Sequence, residues 1–231
     1  IRRLYAVVGA SIGGLFALSL ASRYPDRVEV VVPIATGLAV TPLQRIHNFE
    51  QIFAITRDPD FNGGDYYEGS PPEQGLILAR MISHKTFVSL ETMADRARYE
   101  VRQPPDPLGI YRLTHPVESY LFYQTKKFVK RFDANTYLRI MDAWQNYDLA
   151  ASAGCSSRKD ALARCRNQDF LVFSIDSDVC FYPEEQDEMV RELTAAGVTC
   201  RHITVHSEKG HDAFLLEPDL FTPHIAFALL G

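Results

Sequence analysis

A serine between two glycines near the start of the chain could supply a nucleophile. The motif Gly9-x-Ser11-x-Gly13 follows an apolar run and precedes a helix-like pattern of small residues. On a sharp turn from strand to helix, a serine holds its hydroxyl clear of the backbone. The helix behind it favours developing negative charge, and the N–H of Ile12 is the expected oxyanion donor. The motif therefore predicts nucleophilic catalysis by Ser11.

A nucleophilic serine needs a histidine to take its proton and a carboxylate to orient that histidine. After this motif, the acid is expected to follow a later strand. Asp176 and Asp178 both follow the apolar run 170–175. Asp178 lies further out on the loop and is the favoured acid. The alternative is Asp176, which its position otherwise suits to forming the turn or supporting the site.

The base is expected in the loop after the last strand of the sheet. His211 stands there, directly after Gly210, and is the favoured base. His206 lies at the strand end, where a histidine is more often structural, and His202 alternates within the strand. Serine, aspartate and histidine in this order predict acyl transfer, either to water or to another acceptor.

Composition excludes several other classes of function. The 231 residues are 46% hydrophobic, and the net charge is −5, so nothing indicates a nucleic-acid partner. No apolar stretch is long enough to span a membrane. No histidine or cysteine spacing indicates a metal. The four cysteines form no C-x-x-C pair, which favours reduced thiols and a cytoplasmic protein.

The elements that must hold these residues follow an α/β pattern. Two apolar runs flank the first helix pattern, so this β-α-β unit predicts a parallel sheet. Sheet character returns late in the chain. The predicted strands are 4–8, 28–34, 170–175 and 199–205, and the predicted helices are 12–23, 184–196 and 222–230.

The middle of the chain has few strand-like runs and several helix patterns. Its best helix candidates are 44–57, 72–83, 117–131 and 135–147. We therefore predict a core formed by 1–39 and 151–231, with a helical lid at 40–150.

Several strings outside the catalytic motif resemble the homoserine O-acetyltransferase family. The likeness runs from about residue 4 to residue 227, in order and with fitting spacing. The strings are GGDYY (63–67), GLILAR (75–80), ESYL (118–121), RFDAN (131–135), SD followed by F and P (177–183), and GHDAFL (210–215).

This resemblance implies an α/β-hydrolase core whose helical lid also pairs two subunits into a homodimer. It implies ping-pong transfer through an acyl-serine, with acetyl-CoA or another acyl-CoA as co-substrate and no bound cofactor. The implied acceptor is an amino-acid hydroxyl, usually that of L-homoserine, as in methionine biosynthesis.

Matched to the family pattern, Ser11, Asp178 and His211 take the roles of nucleophile, acid and base. Arg80 matches the arginine that grips the acceptor carboxylate, and its alternative is a lid salt bridge. Asp212 matches the residue that helps to hold the acceptor amine, and its alternative is a loop or capping aspartate.

Two positions depart from the family pattern. Where the family usually has a tyrosine near the acceptor, this chain has Phe87, which removes one hydroxyl contact. Serine or another hydroxyl compound is therefore an alternative acceptor. The segment around Ser11, called the elbow below, reads GASIGG (9–14) where the family frequently has GGSMGG. This second departure is milder.

The largest departure precedes the elbow. Family members carry further strands there, and a loop that supplies a second oxyanion N–H. A sheet that begins at the elbow strand would have about four strands and an exposed apolar edge. We therefore expect that a further N-terminal segment of the same gene product completes the fold. The competing interpretations are a serine esterase and a subunit that is catalytically incomplete alone.

Overall fold

The structure is a computed structural model that describes residues 1–97, 100–105 and 108–230. The chain forms two compact units. The core unit consists of Ile1–Val40 and the residues from Asn146 onward, and the helical unit is Thr41–Gln145. The predicted lid, 40–150, extends slightly beyond the helical unit at its C-terminal end.

The two connections of the core unit to the insertion meet in an antiparallel bridge. Ala39 and Asp148 form this isolated bridge, and both belong to the core unit. Asp148 also caps the short helix that follows, because its side chain accepts a hydrogen bond from the Ala151 amide at 2.9 Å. The chain therefore leaves the core unit and re-enters it at neighbouring points.

The described residues of the core unit form one parallel sheet. Its strands are β1 (Leu4–Ala10), β2 (Val28–Ile34), β3 (Asp169–Ile175) and β4 (Thr199–Val205), in the order β1-β2-β3-β4. The four predicted strands are confirmed. In this sheet β1 is an edge strand, and its Tyr5 and Val8 side chains are exposed.

Helices occupy both units. In chain order, the described residues form α1 (Ile12–Arg23), α2 (Pro42–Thr56), α3 (Glu73–Phe87), α4 (Leu90–Arg96), α5 (Pro116–Val129), α6 (Ala134–Gln145), α7 (Leu149–Ala153), α8 (Arg158–Ala163), α9 (Pro183–Ala195), α10 (Ala213–Leu216) and α11 (Thr222–Leu230).

Alternation along the strands directs apolar side chains to both faces of the sheet. Val172 points to the face that α1, α7, α8 and α9 cover. Phe173 points to the opposite face, where its ring centroid lies 5.4 Å from that of Phe221, just before α11. The sheet is therefore covered on both faces, as the continuous apolar runs of its central strands predict.

The helical unit packs mainly through α2, α3, α5 and α6. A capping box begins α2: the Gln44 amide donates to Thr41 Oγ1 at 3.2 Å, and Gln44 Oε1 accepts from the Thr41 amide at 3.0 Å. The four helices predicted here are confirmed with shifted ends, and α3 extends to Phe87. Among the described residues, no helix combines the length and apolar character that a membrane crossing requires.

Candidate active site

Ser11 occupies a strained turn between β1 and α1. Its φ of 56° and ψ of −128° are unusual for a residue with a side chain. The Ser11 amide donates to the carbonyl of Ile34 at 2.9 Å, which fixes the turn against β2. A Cβ atom on Gly9 would lie 2.1 Å from the Gly13 carbonyl oxygen, so only glycine fits there. This backbone is that of a nucleophile elbow.

The start of α1 also lies close to the residues that follow β2. A Cβ atom on Gly14 would lie 2.4 Å from Thr36 Cγ2, so glycine permits this approach. The neighbouring Ala35 is fully buried, with a φ of 47°. Ile12 is the first residue of α1, where amides have no carbonyl partner one turn earlier in the helix. Its N–H is therefore available for the predicted oxyanion contact.

Asp178 and His211 form a buried pair. They are 1% and 2% exposed, and Asp178 Oδ2 lies 2.7 Å from His211 Nδ1. The other oxygen, Oδ1, accepts from the amides of Cys180 at 2.7 Å and Phe181 at 3.0 Å. A carboxylate only accepts hydrogen bonds, so Nδ1 carries the proton and Nε2 is the basic nitrogen.

Aromatic rings fix the plane of the His211 imidazole. The ring of Phe181 stacks on it with 5.7 Å between centroids and 25° between planes. Phe214 meets it edge-on at 5.5 Å. The imidazole is thus oriented by a carboxylate at Nδ1 and by apolar walls, which is the arrangement a catalytic base requires.

The alternative acid, Asp176, contacts a different histidine. Its Oδ2 lies 2.8 Å from His206 Nδ1, and its Oδ1 accepts from the Ser207 amide at 3.0 Å. Burial would raise the pKa of Asp176, but these hydrogen bonds outweigh it and hold the pKa below its ordinary value. The His206 side chain is 83% exposed. The geometry therefore favours Asp178 as the partner of His211.

A second chain of serine, histidine and aspartate links β3, β4 and α9. Ser174 Oγ is 2.9 Å from His202 Nε2, and His202 Nδ1 is 3.7 Å from Asp187. Ser174 is 1% exposed and lies within β3, not on a strand-to-helix turn. Ser174 therefore has no access to a substrate, and its bond to His202 links β3 to β4.

Ser11, Asp178 and His211 follow β1, β3 and β4, respectively. Since the sheet is parallel, all three lie beyond its carboxyl edge, where ligands bind in open α/β sheets. The structure brings Asp178 and His211 into contact and places Ser11 at the same edge.

The three residues expected to bind the acceptor fall in different units. Asp212 belongs to the core unit, directly after His211, at the start of α10. Arg80 and Phe87 belong to α3 of the helical unit. The Arg80 guanidinium carbon lies 5.1 Å from the centroid of the Phe87 ring and 4.8 Å from that of Phe128. Phe87 therefore supports Arg80 as a cation–π partner.

The sequence motif did not reveal the groups that hold Asp178. The Cys180 and Phe181 amides depend on the turn after β3, and a sequence pattern carries no signal for backbone donors. Phe181 was visible only as part of a family-like string.

Two of the four thiols are unsuited to nucleophilic chemistry. Burial raises the pKa of Cys165 to about 12 and that of Cys200 to about 11, so both are protonated and unreactive. Across the part of the chain that the structure describes, histidine, cysteine, aspartate and glutamate form no metal-binding group of three or more.

A strained serine elbow and a buried aspartate–histidine pair at the carboxyl edge of a parallel sheet define a class of enzyme fold. The family described as alpha/beta hydrolase fold matches residues 1–218. The chain belongs to this family, and the fold predicted from the sequence is confirmed.

Several individual proteins are similar to this chain over almost its whole length. A homoserine O-acetyltransferase of Natronomonas pharaonis is 39% identical over 95% of this chain and 56% of its own length. Among solved structures, a homoserine O-acetyltransferase from Bacillus anthracis superposes with a TM-score of 0.88 at 24% identity, covering 99% of this chain and 60% of that one. Esterase E22 does so with a TM-score of 0.87 at 22% identity, covering 99% and 62%.

The resemblance indicated by the short strings therefore extends over almost the whole chain. The chain spans about half the length of the curated relatives it matches, 56% in the case above. At 22% to 24% identity, the two solved structures establish the fold alone.

Proposed function

We propose that this chain carries the catalytic residues of an O-acyltransferase that works through an acyl-serine. The buried contact between Asp178 and His211, together with the strained elbow at Ser11, carries the proposal. His211 Nε2 takes the Ser11 proton as the oxygen attacks the acyl carbonyl. The bond to the leaving group breaks, and the imidazolium returns its proton to that group.

The second half-reaction repeats these steps with an acceptor hydroxyl. His211 takes the acceptor proton, the acceptor oxygen attacks the acyl-serine, and Ser11 regains its proton. The names of the relatives support acetyl as the acyl group and L-homoserine as the acceptor. We propose acetyl-CoA as donor, Arg80 as the group that binds the acceptor carboxylate, and Asp212 as a contact for its amine.

The first experiment tests the acyl-serine. The chain is incubated with acetyl-CoA, and the peptide that contains Ser11 is weighed by mass spectrometry. We expect one added acetyl group on that peptide, absent from Ser11→Ala although the variant folds normally. An acetyl adduct that persists in Ser11→Ala would reject Ser11 as the nucleophile.

A second experiment separates transfer from hydrolysis. An esterase would pass the acyl group to water. Phe87 lacks the hydroxyl that the family places near the acceptor, so serine or another hydroxyl compound is an alternative acceptor. We expect homoserine to accelerate CoA release and to become acetylated. Release of CoA at a rate that no amino acid changes would favour the esterase.

The edge strand β1 suggests how the protein is completed. Its exposed Tyr5 and Val8 would be buried by a further strand, and we propose that another segment of the same gene product supplies it. That segment would also provide the second oxyanion N–H. Adding it should slow hydrogen exchange in β1 but not in central β3, and should raise acylation by about 10² to 10³.

Full activity of the chain alone would overturn the proposal that a further segment completes the oxyanion site.

We also propose that the helical unit pairs two copies of the chain and that the protein is cytoplasmic. The four cysteines, all free thiols in the structure, support a reducing compartment.

A further inference from the structure

The three residues after β3 all bind the loop that carries His211. Asp176 holds the start of this loop through His206 and the Ser207 amide, and Asp178 holds His211 itself. Between them, the Ser177 hydroxyl donates to the Ser207 carbonyl at 2.5 Å and accepts from the Gly210 amide at 3.1 Å. Ser177 is therefore the one side chain of the three that bridges both ends of the loop 207–210.

The hydrogen bond between Ser177 and the Gly210 amide affects how the backbone leads into His211. Gly210 directly precedes His211 and has a φ of 74°, a conformation that favours glycine. Such a residue has several accessible backbone conformations, so a hydrogen bond to its amide selects one of them. That choice sets the direction in which the chain enters His211.

The other end of the loop is already ordered. The Lys209 amide donates to Ser207 Oγ at 3.0 Å, and Ser207 Oγ donates to Glu217 at 2.5 Å. The loop 207–210 is thus closed on itself at Ser207. The Ser177 hydroxyl, together with the Asp176 carboxylate, ties this closed loop to the segment that follows β3 and leads to Asp178.

We propose that Ser177 is a positioning residue that sets His211 against Asp178. It acts through the backbone of Ser207 and Gly210 and contacts no reacting atom. A hydroxyl suits the position because it donates and accepts at once, which alanine cannot do and threonine can. The consequence for catalysis rests on the proposed acyl transfer, whereas the effect on the His211–Asp178 contact does not.

The test compares Ser177→Ala with Ser177→Thr and a matched control. Ser174→Ala is the control, because Ser174 also bonds to β4, through His202 and Thr204, but forms no hydrogen bond to residues 207–210 in the described chain. The first readout is the far-downfield proton resonance of His211 Nδ1–H bound to Asp178, identified by its loss in His211→Gln.

We expect this resonance in the wild-type chain, Ser177→Thr and Ser174→Ala, and its loss or exchange broadening in Ser177→Ala. An unchanged resonance in Ser177→Ala would overturn the inference. So would its absence from the wild-type chain, or an equal loss in Ser174→Ala.

The second readout is the acylation of Ser11 by p-nitrophenyl acetate. Displacing a catalytic group slows the chemical step strongly and changes the affinity for the substrate little. We expect kcat to fall about 10- to 100-fold in Ser177→Ala with little change in KM, and to recover in Ser177→Thr. A raised KM at unchanged kcat would contradict a positioning role. If the resonance behaves as expected but no chain is acylated, the acyl-transfer proposal fails and the positioning role stands.

Discussion

At the residue scale, two aspartates two positions apart serve different histidines. Asp178 is buried against His211, and Asp176 binds the exposed His206. The sequence order favoured Asp178 because a residue further along a loop reaches further from its strand. It could not exclude Asp176, since both carboxylates follow the same strand and only the turn geometry separates them.

This difference predicts unequal effects for two matched substitutions. Asp178→Asn places an amide N–H against His211 Nδ1, which stabilises the wrong tautomer of the imidazole. We expect acylation of Ser11 to slow by about 10⁴-fold, as the loss of a triad carboxylate does elsewhere. Asp176→Asn should slow it less than about tenfold. Burst kinetics with p-nitrophenyl acetate measure both rates, and a larger effect of Asp176→Asn would exchange the two roles.

The adjacent glycines of the elbow allow a second matched pair. A Cβ atom at Gly14 would collide with Thr36, whereas a Cβ atom at Gly13 would meet nothing within 4 Å. Gly14→Ala should therefore lower the free energy of unfolding by about 1 to 3 kcal/mol, the usual penalty of overpacking.

Gly13→Ala should leave that free energy unchanged or raise it by about 0.5 kcal/mol, because alanine loses less backbone freedom in a helix. Urea unfolding of the two variants provides the comparison. Equal destabilisation by both would show that the helix start, and not the Thr36 contact, determines the need for glycine.

At the element scale, the length of each helix or strand decided whether it could be predicted from the sequence. The long helices and buried strands have clear periodicity, and the end of α9 carries a recognisable stop. Gly197, with a φ of 78°, follows this helix; its amide bonds to the Thr194 carbonyl, and the Val198 amide bonds to the Leu193 carbonyl. Gly197 thus ends α9 at the position where a glycine commonly follows a helix.

Four helices escaped prediction because none of them exceeds two turns: α4, α7, α8 and the four-residue α10. Helices this short show no apolar period. The capping residues of α4, α7 and α8 were the available signal. Ser89, Asp148 and Ser157 each accept a hydrogen bond from an amide in the first turn of the helix that follows.

Helix α3 carries a histidine that predicts a pH effect on the helical unit. His84 is 6% exposed, its ring centroid lies 5.8 Å from that of Tyr120, and neither of its ring nitrogens has a hydrogen-bond partner among the described residues. Burial, with the positive charges of Arg80 and Arg96, lowers the pKa of His84 to about 4.

The unfolded chain binds this proton near pH 6.5, whereas the folded chain resists it until about pH 4. The helical unit should therefore lose about 3 kcal/mol of stability as pH falls from 6.5 to about 4. His84→Phe should flatten this dependence. An NMR titration in which the folded His84 signal moves near pH 6.5 would contradict the assignment.

At the scale of the whole molecule, the parallel sheet followed from the β-α-β pattern, but the surface used for association did not. The exposed apolar face of α2 becomes visible only once the helix is packed. Ile46, Phe49 and Phe53 are 55%, 61% and 50% exposed. Their spacing places them along one side of the helix. This stripe is the surface we assign to the proposed homodimer.

A charge in the stripe should weaken that dimer. We expect Phe49→Asp to shift the chain towards monomer in sedimentation velocity experiments, because burying an unpaired carboxylate in the interface carries a large free-energy penalty. Leu90→Asp is the matched control in the same unit, because Leu90 is 73% exposed but lies on α4. A dimer unaffected by Phe49→Asp would place the interface elsewhere.

The bridge between Ala39 and Asp148 has a consequence for the ancestry of the molecule. An insertion whose two ends are already hydrogen-bonded neighbours can be gained or lost as a cassette without breaking the sheet. A gene that joined Val40 to Asn146 through a short turn would still encode every strand of the sheet and Ser11, Asp178 and His211. The helical unit, which carries the proposed acceptor ligand Arg80, could therefore be exchanged between descendants of one ancestor while Ser11, Asp178 and His211 are inherited unchanged.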